Sequence, residues 1–272
     1  MDLRLRRRVR AAYRAFRGPK KPPVPSKPGA SGCQATGPPG YVGIGAMRAG
    51  TSWWHRLISA HPEVVVAPGA PKELHFFDTF ATAEFTPPAV AEYHAYFPRR
   101  HGATTGEWTP SYLCDPWVPP LLKEAAPSAR LLVMLRDPVD RYVSGIAFSR
   151  SLGSDETTGS HRDHFHRGLY HAQLERYLLH FPRLQVLVLQ FERCVVAPEA
   201  EIRRTFEFLE LDPGFQPVDL RRPVNASGGG FALDPAQRQR LKEAYGPDLQ
   251  RLAGVWPEID LDLWASARVL GA

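Results

Sequence analysis

The sequence is poor in cysteine and contains no long apolar run. Its three cysteines, Cys33, Cys114 and Cys194, form no CxxC pair and no Cys/His cluster at zinc spacing. This argues against a disulfide framework and against a structural zinc site. No stretch reaches the roughly 18 apolar residues that cross a bilayer, and the N-terminus has no apolar signal-peptide core. These absences favour a cytoplasmic location and a reducing compartment.

Positive charge is concentrated near the N-terminus. Residues 1–40 carry seven Arg and three Lys against Asp2, so the other 232 residues have a net charge of −3 although the whole chain has +6. This argues against nucleic-acid binding by the folded part. Residues 18–40 are rich in Pro, Gly, Ser and Lys, which predicts a linker. We expect residues 1–40 to be a flexible basic tail, either solvated or in peripheral contact with an anionic membrane or an acidic partner.

Residues 41–272 are expected to form one α/β domain. Apolar runs predict buried strands at residues 41–45, 64–66, 131–135 and 186–190, with another near 103–108. Helical patterns lie over residues 51–60, 87–97, 117–126, 139–150, 165–180, 199–209 and 235–252. This alternation predicts a central, mostly parallel sheet with helices on both faces. Such sheets bind ligands at the carboxyl ends of their strands.

A glycine-containing loop, residues 45–52 (GAMRAGTS), follows the first strand. Thr51 and Ser52 place two hydroxyls at the start of a helix, where the free N–H groups and the helix dipole favour an anion. Arg48 adds a permanent cation suited to phosphate oxygens. The loop fits the G-x-x-x-x-G spacing of nucleotide P-loops, but Thr51 stands where a Walker loop has Lys. The sequence therefore predicts a P-loop-like phosphate site that works without a metal.

A second phosphate-binding element follows the strand at residues 131–135. Arg136 lies at the carboxyl end of this strand, and Asp137 with Pro138 fits a helix N-cap followed by proline at the first helical position. Ser144 lies about two turns into the helix. Arg136 and Ser144 are therefore expected to face the same crevice as the first loop.

These two elements, about 90 residues apart, together resemble the 3′-phosphoadenosine-5′-phosphosulfate (PAPS)-dependent sulfotransferases. The resemblance is greatest to the heparan-sulfate and bacterial carbohydrate branch. Three further stretches carry it, at residues 71–78 (PKELHFFD), 106–112 (GEWTPSY) and 170–174 (YHAQL). Together the motifs cover roughly residues 41–230. The resemblance implies that a sulfuryl group moves from PAPS to a hydroxyl or amine of a small acceptor.

The resemblance also implies which residues bind PAPS. The 3′-phosphate would be held by Arg136 and Ser144, and Arg48 would also be catalytic by stabilising the leaving phosphate. The 5′-phosphosulfate would be held by Arg48, Ala49, Gly50, Thr51, Ser52 and Trp53. A late loop over the 3′-phosphate corresponds at best to residues 225–230.

On the acceptor side the resemblance implies that Glu73 is the general base. His75 would act beside it as a second catalytic residue, and Asp78 would orient the acceptor. The adjacent Phe pair, Phe76 and Phe77, is expected to raise the pKa of Glu73 by excluding water. The polar residues 151–166, with three histidines, are predicted to form an acceptor-side lid loop.

Two positions depart from the family pattern. The family usually has Lys where this chain has Arg48, and often has Lys where this chain has Trp108. Arg48 keeps the charge but cannot donate a proton to the leaving group. Trp108 is instead expected to stack on an acceptor ring and so to bind substrate.

Several interpretations stay open at this level. The acceptor is expected to be a sugar hydroxyl, with glycolipid or secondary-metabolite hydroxyls next. A P-loop nucleotide kinase or NTPase is the alternative enzyme, and a non-catalytic nucleotide-binding module is the alternative of another class. Neither a metal nor a nucleic-acid partner is expected.

Overall fold

A computed structural model describes residues 35–67, 69–153, 157–222 and 230–268. Its centre is a four-stranded parallel sheet. The strands are β2 (Tyr41–Gly45), β4 (Gly106–Trp108), β5 (Arg130–Leu135) and β6 (Val186–Gln190), in the spatial order β4-β2-β5-β6. Residues 131–135 of β5 are fully buried, as expected for a central strand covered on both faces.

Helices flank this sheet, and the predicted α/β class with a mostly parallel sheet is confirmed. The helices are α1 (Thr51–Ser59), α2 (Pro87–His94), α3 (Val118–Ala125), α4 (Pro138–Ser151), α5 (Thr158–His166), α6 (Tyr170–Leu178), α7 (Phe191–Val196), α8 (Pro198–Leu209) and α9 (Pro235–Val255). Short 3₁₀ turns lie at Phe77–Ala81, Arg183–Gln185 and Leu261–Leu263. None of the helices in the described ranges combines the length and apolarity needed to cross a bilayer.

A small second sheet lies beside the amino end of the main one. Its strands β1 (Ala35–Thr36) and β3 (Pro98–Arg99) pair antiparallel. Residues 35–40, which the sequence analysis placed in the tail, are therefore attached to the folded body, and Gly37 N donates to the Phe97 carbonyl at 3.1 Å. The rest of the predicted tail lies outside the described residues.

Two predicted elements are wrong in detail. The strand at residues 64–66 is only an isolated bridge between Val64 and Thr104, and Val66 is about half exposed, so the pairing does not extend. The helix predicted over 165–180 is two helices, α5 and α6, separated at Gly168. A Cβ at Gly168 would lie 2.7 Å from the Tyr245 ring, so this position packs too closely for any other residue.

Candidate active site

The phosphate loop lies at the carboxyl end of β2 and runs into α1. Ala46 N donates to the Met134 carbonyl at 2.8 Å, which ties the loop to β5. Arg48 and Gly50 have positive φ values of 67° and 91°. A Cβ at Gly50 would lie 2.6 Å from the Phe191 ring, so glycine is required at this tight turn. The loop therefore reverses just before α1 and leaves Thr51 at the first position of the helix.

The Arg48 side chain reaches the second phosphate-binding element. Its Nε donates to Ser144 Oγ at 3.2 Å, and its guanidinium lies 4.6 Å from the centre of the Phe148 ring. Arg48 thus contacts the residue predicted for the 3′-phosphate, on α4. The two predicted phosphate elements are therefore in direct contact.

Arg136 lies beside Arg48. Its Nη1 donates to the Arg48 carbonyl at 3.4 Å, and its guanidinium stacks 5.2 Å from the centre of the Phe191 ring. Tyr170, from the 170–174 motif, donates to the Arg136 carbonyl at 2.7 Å. Burial, and then the positive charge of Arg136, lower the pKa of Arg48. Two guanidinium groups that repel each other in one crevice create a strong site for an anion.

The predicted N-cap of α4 is confirmed. Asp137 accepts from Val139 N at 2.9 Å and from Asp140 N at 3.2 Å, with Pro138 at the first turn. A further bond from Ser266 N at 2.9 Å anchors the cap to the C-terminal part of the chain. The cap fixes where α4 begins, and therefore where Arg136 and Ser144 lie relative to each other.

Lys72 is a site residue that the sequence analysis missed. Its Nζ lies 3.0 Å from Thr51 Oγ1, 3.1 Å from Ser52 Oγ and 2.8 Å from Glu73 Oε1. The sequence analysis included this lysine only as part of the motif at residues 71–78 and gave it no role. The motif at residues 71–78 could have indicated this role, because a lysine directly before the predicted base must lie close to the reacting groups.

Glu73, His75 and Asp78 form a connected row. His75 Nε2 lies 3.2 Å from Glu73 Oε2, and His75 Nδ1 lies 2.9 Å from Asp78 Oδ2. Asp78 Oδ1 also accepts from Ser111 Oγ at 3.4 Å. The structure therefore brings together the three predicted acceptor-side residues, and Lys72 joins this row to the phosphate loop.

The charges in this row differ from the sequence expectation. Burial alone would raise the pKa of Glu73, but hydrogen bonds from His75 and Lys72 and their charges outweigh it, so the pKa is lowered. Burial thus raises this pKa in the expected direction, but it does not determine the net pKa of Glu73. Burial alone would lower the pKa of His75, but Asp78 and Glu73 outweigh it and raise the pKa to about 9. His75 is therefore held protonated between Glu73 and Asp78 at neutral pH.

The motif at residues 106–112 supports the segment that carries Glu73, the predicted base. Glu107 is fully buried, and it accepts from Leu74 N at 3.2 Å and from Thr109 Oγ1 at 2.5 Å. Thr109 Oγ1 lies 3.3 Å from His75 N, and the Tyr112 hydroxyl accepts from Phe76 N at 2.8 Å. Three consecutive backbone amides after Glu73 are thus held by one buried polar cluster.

Two tryptophans predicted to contact ligands are buried in the structure. Trp108 is fully buried, its indole lies against Gly43, and its Nε1 donates to the Gly45 carbonyl at 3.1 Å. Because its ring is enclosed, Trp108 is not available to stack on an acceptor, and it supports the phosphate loop instead. Trp53 is also buried, with Nε1 donating to the Leu220 carbonyl at 3.0 Å. Ala49 is likewise buried.

The predicted lid at residues 151–166 is mostly helical. Thr157 caps α5 by accepting from Ser160 N at 3.2 Å. His164 is buried, lies 2.9 Å from Ser149 Oγ, and has its pKa lowered to about 4, first by burial. It is a neutral packing residue between α5 and α4, not an acceptor contact. Residues 154–156 and 225–229, part of the predicted lid and of the late loop, lie outside the described residues.

Three comparisons place these features among known proteins. A family model described as a sulfotransferase domain matches residues 42–220. The chain is 30% identical over 223 residues to heparan sulfate glucosamine 3-O-sulfotransferase 3B1 of Mus musculus, covering 75% of this chain and 54% of that protein. It is also 30% identical over 234 residues to the Homo sapiens 3-O-sulfotransferase 6, covering 80% and 65%. The chain thus spans about half to two thirds of the length of these curated relatives.

A solved structure agrees with this result. The crystal structure of a sulfotransferase from Alicyclobacillus acidocaldarius superimposes with a TM-score of 0.64 at 28% identity. The match covers 80% of this chain and 95% of that chain. The likeness therefore extends over nearly the whole of the neighbour's fold.

Proposed function

The chain belongs to the sulfotransferase family, and from this premise we propose that it transfers a sulfuryl group from PAPS to a carbohydrate. The observation that carries the proposal is a chain of contacts around the start of α1, in which Arg48 contacts Ser144 while Lys72 contacts both Thr51 and Glu73. Two groups of cations and hydroxyls thus lie close to a carboxyl group. That donor set suits a molecule with phosphate groups at two ends.

PAPS fits the chemistry of these residues. Arg136, Arg48 and Ser144 provide two guanidinium groups and a hydroxyl for the 3′-phosphate. Thr51, Ser52 and the first turn of α1 provide hydroxyls and N–H groups for the 5′-phosphosulfate. Bound PAPS would supply the activated sulfuryl group.

The acceptor side performs the proton transfer. The oxygen of the acceptor hydroxyl forms a bond to sulfur, and the bond between sulfur and the 5′-phosphate oxygen breaks, with its electron pair passing to that phosphate. The hydroxyl proton passes to Glu73, which is the general base. His75 keeps Glu73 ionised and oriented, and Asp78 fixes the imidazolium from its other side. None of these steps draws on a metal ion.

The other two functions fit the residues less well. A Walker-type NTPase needs its lysine on the loop, at the position that Thr51 occupies. A module that only binds nucleotide has no use for a carboxylate that is kept ionised at the mouth of the phosphate crevice. The Glu73–His75–Asp78 row therefore favours catalysis.

The relatives that act on heparan sulfate glucosamine support a carbohydrate acceptor for this chain. The experiment is a transfer assay with ³⁵S-labelled PAPS against a panel of heparosan oligosaccharides, neutral glycans, glycolipids and small hydroxyl or amine metabolites. We expect a labelled, mass-confirmed product from the glycan group. In that assay Glu73→Gln should lower turnover about 10²–10⁴-fold and keep its affinity for 3′-phosphoadenosine 5′-phosphate (PAP).

Two results would contradict the proposal. Mg²⁺-dependent ATP turnover without PAP binding would favour the NTPase. Tight PAP binding without a sulfated product from any member of the panel would favour the binding module. Near-wild-type turnover by Glu73→Gln would show that Glu73 is not the general base, but it would not contradict the sulfotransferase activity.

A further inference from the structure

Lys72 occupies a position that packing and local charge do not explain. Its ammonium group lies at the first turn of α1, on the hydroxyls of Thr51 and Ser52. A cation is unfavourable at this end of a helix, where the dipole is positive. Its side chain is only 18% exposed, and burial lowers the pKa of Lys72 despite the opposing effect of Glu73. The protein therefore keeps a desolvated cation where a helix repels it.

A simple ion pair with Glu73 does not account for this arrangement. Glu73 is 37% exposed and also contacts His75, so Lys72 could reach it from solvent without entering the loop. The backbone of Lys72 is instead held in place, because its carbonyl accepts from Trp108 N at 2.9 Å. The sheet edge thus fixes Lys72 next to the phosphate loop. An anion between the ammonium group and the helix would stabilise both.

The cation on the loop itself points elsewhere. Arg48 Nε is bonded to Ser144 on α4, and its guanidinium lies on Phe148. Arg48 therefore belongs to the Arg136 end of the crevice. Among the described residues, Lys72 is the cation that contacts the Thr51 and Ser52 hydroxyls.

We propose that Lys72 is a catalytic residue that contacts the leaving 5′-phosphate, supplied by the segment that carries the base and not by the phosphate loop. The inference rests on the proposed function and adds to it the residue that replaces a loop lysine. As the sulfur–oxygen bond breaks, its electron pair moves onto the phosphate oxygen, and Lys72 donates a hydrogen bond there while remaining protonated. No proton beyond the one that passes from the acceptor to Glu73 is needed.

The position of Lys72 also couples the two ends of the reaction. An ammonium group has three protons, and those of Lys72 already face Thr51, Ser52 and Glu73. A bond to the phosphate must replace one of these contacts. Exchange of the Glu73 contact removes the ammonium partner from Oε1, which raises the affinity of this carboxylate for the proton of the acceptor hydroxyl.

The test compares ligand binding with transfer in Lys72→Met. Calorimetry with PAP should show about tenfold weaker binding, because one charge-assisted hydrogen bond is lost. Adenosine 3′-monophosphate, which lacks the 5′-phosphate, should bind as it does to the wild type. Single-turnover transfer from saturating PAPS should fall a further ~10²–10³-fold, as for the loss of one donor to a developing oxyanion. Lys72→Arg keeps the charge and should recover most of the PAP affinity.

Lys242→Met on α9 is the matched control, and it should change neither binding nor transfer. The inference would be overturned if Lys72→Met bound both nucleotides equally more weakly, or if its PAP affinity and transfer rate were unchanged. Transfer by the wild type would still uphold the proposed function in either case. If Lys72→Met weakens PAP selectively but the wild type transfers no sulfate, the phosphate contact stands and the catalytic assignment falls. Failure of the wild type to bind PAP would refute both.

Discussion

Glu107 holds the segment that carries Glu73, the proposed base, and Glu107→Gln tests this role. The carboxylate accepts from Leu74 N and Thr109 at one oxygen and from Tyr93 and Tyr112 at the other. A protonated carboxyl oxygen donates one hydrogen bond and can still accept another, whereas the NH₂ of Gln carries two protons and accepts none, so Gln leaves one more buried donor without an acceptor than protonated Glu107 does. One unsatisfied buried donor costs about 1–3 kcal/mol. At ~2–4 °C per kcal/mol for a domain of this size, Tm should fall by roughly 2–12 °C.

The loss should depend on pH in a defined direction. Burial raises the pKa of Glu107 from its ordinary 4.5 to about 7, although four hydrogen bonds oppose the rise. Since the folded pKa exceeds the unfolded one, the stability contributed by protonated Glu107 is complete below pH 4.5 and is lost as the pH rises through 7. Gln does not titrate. The difference between wild type and variant should therefore be largest near pH 5 and smaller at pH 8.

Urea denaturation at pH 5, 6.5 and 8 measures this difference, and Glu124→Gln on the exposed face of α3 is the control. Turnover of Glu107→Gln should also fall, because Glu107 holds Leu74 N directly and His75 N through Thr109 Oγ1, and the substitution weakens these contacts. The reasoning is refuted if Glu107→Gln matches the control at every pH. It is also refuted if its deficit grows from pH 5 to pH 8.

Three further predictions follow from the same geometry. In His75→Gln the acid limb of the pH–rate profile should move to higher pH, because Glu73 loses a charged hydrogen-bond donor. In the wild type, the contribution of His75 to the free energy of unfolding should be complete below pH 6.5 and should disappear as the pH rises through about 9. An unshifted acid limb would contradict the contact between His75 and Glu73. Arg136→Met should weaken binding of PAP by about tenfold or more but leave unchanged the binding of adenosine 5′-phosphosulfate, which lacks the 3′-phosphate. Equal losses of affinity for the two nucleotides in calorimetry would contradict this. Removal of residues 1–34 should abolish sedimentation with anionic vesicles and leave transfer unchanged; equal sedimentation of the truncated and full chains would rule out a membrane role for residues 1–34.

The sequence determined the features that depend on local order. Alternating apolar runs and helical patterns predicted the parallel sheet, because a buried strand and an amphipathic helix differ in period. The GAMRAGTS loop and the Arg136–Asp137–Pro138 junction predicted the two candidate phosphate elements, since each lies where a strand passes directly into a helix. Glu73, His75 and Asp78 were predicted within one short segment, and the structure brings them together.

The tertiary structure decided which way the side chains point and what surrounds them. The sequence placed Arg48 and Lys72 some twenty residues apart, but it could not show that Arg48 turns towards Ser144 while Lys72 takes its place at Thr51. Trp108 became a buried support because β4 lies directly beside β2. Burial raises the pKa of Glu73, whereas hydrogen bonds from His75 and Lys72 lower it. The net direction depends on distances that only the three-dimensional structure defines. Local pattern fixes the elements, whereas the electrostatics of a site depend on contacts between segments that are distant in the chain.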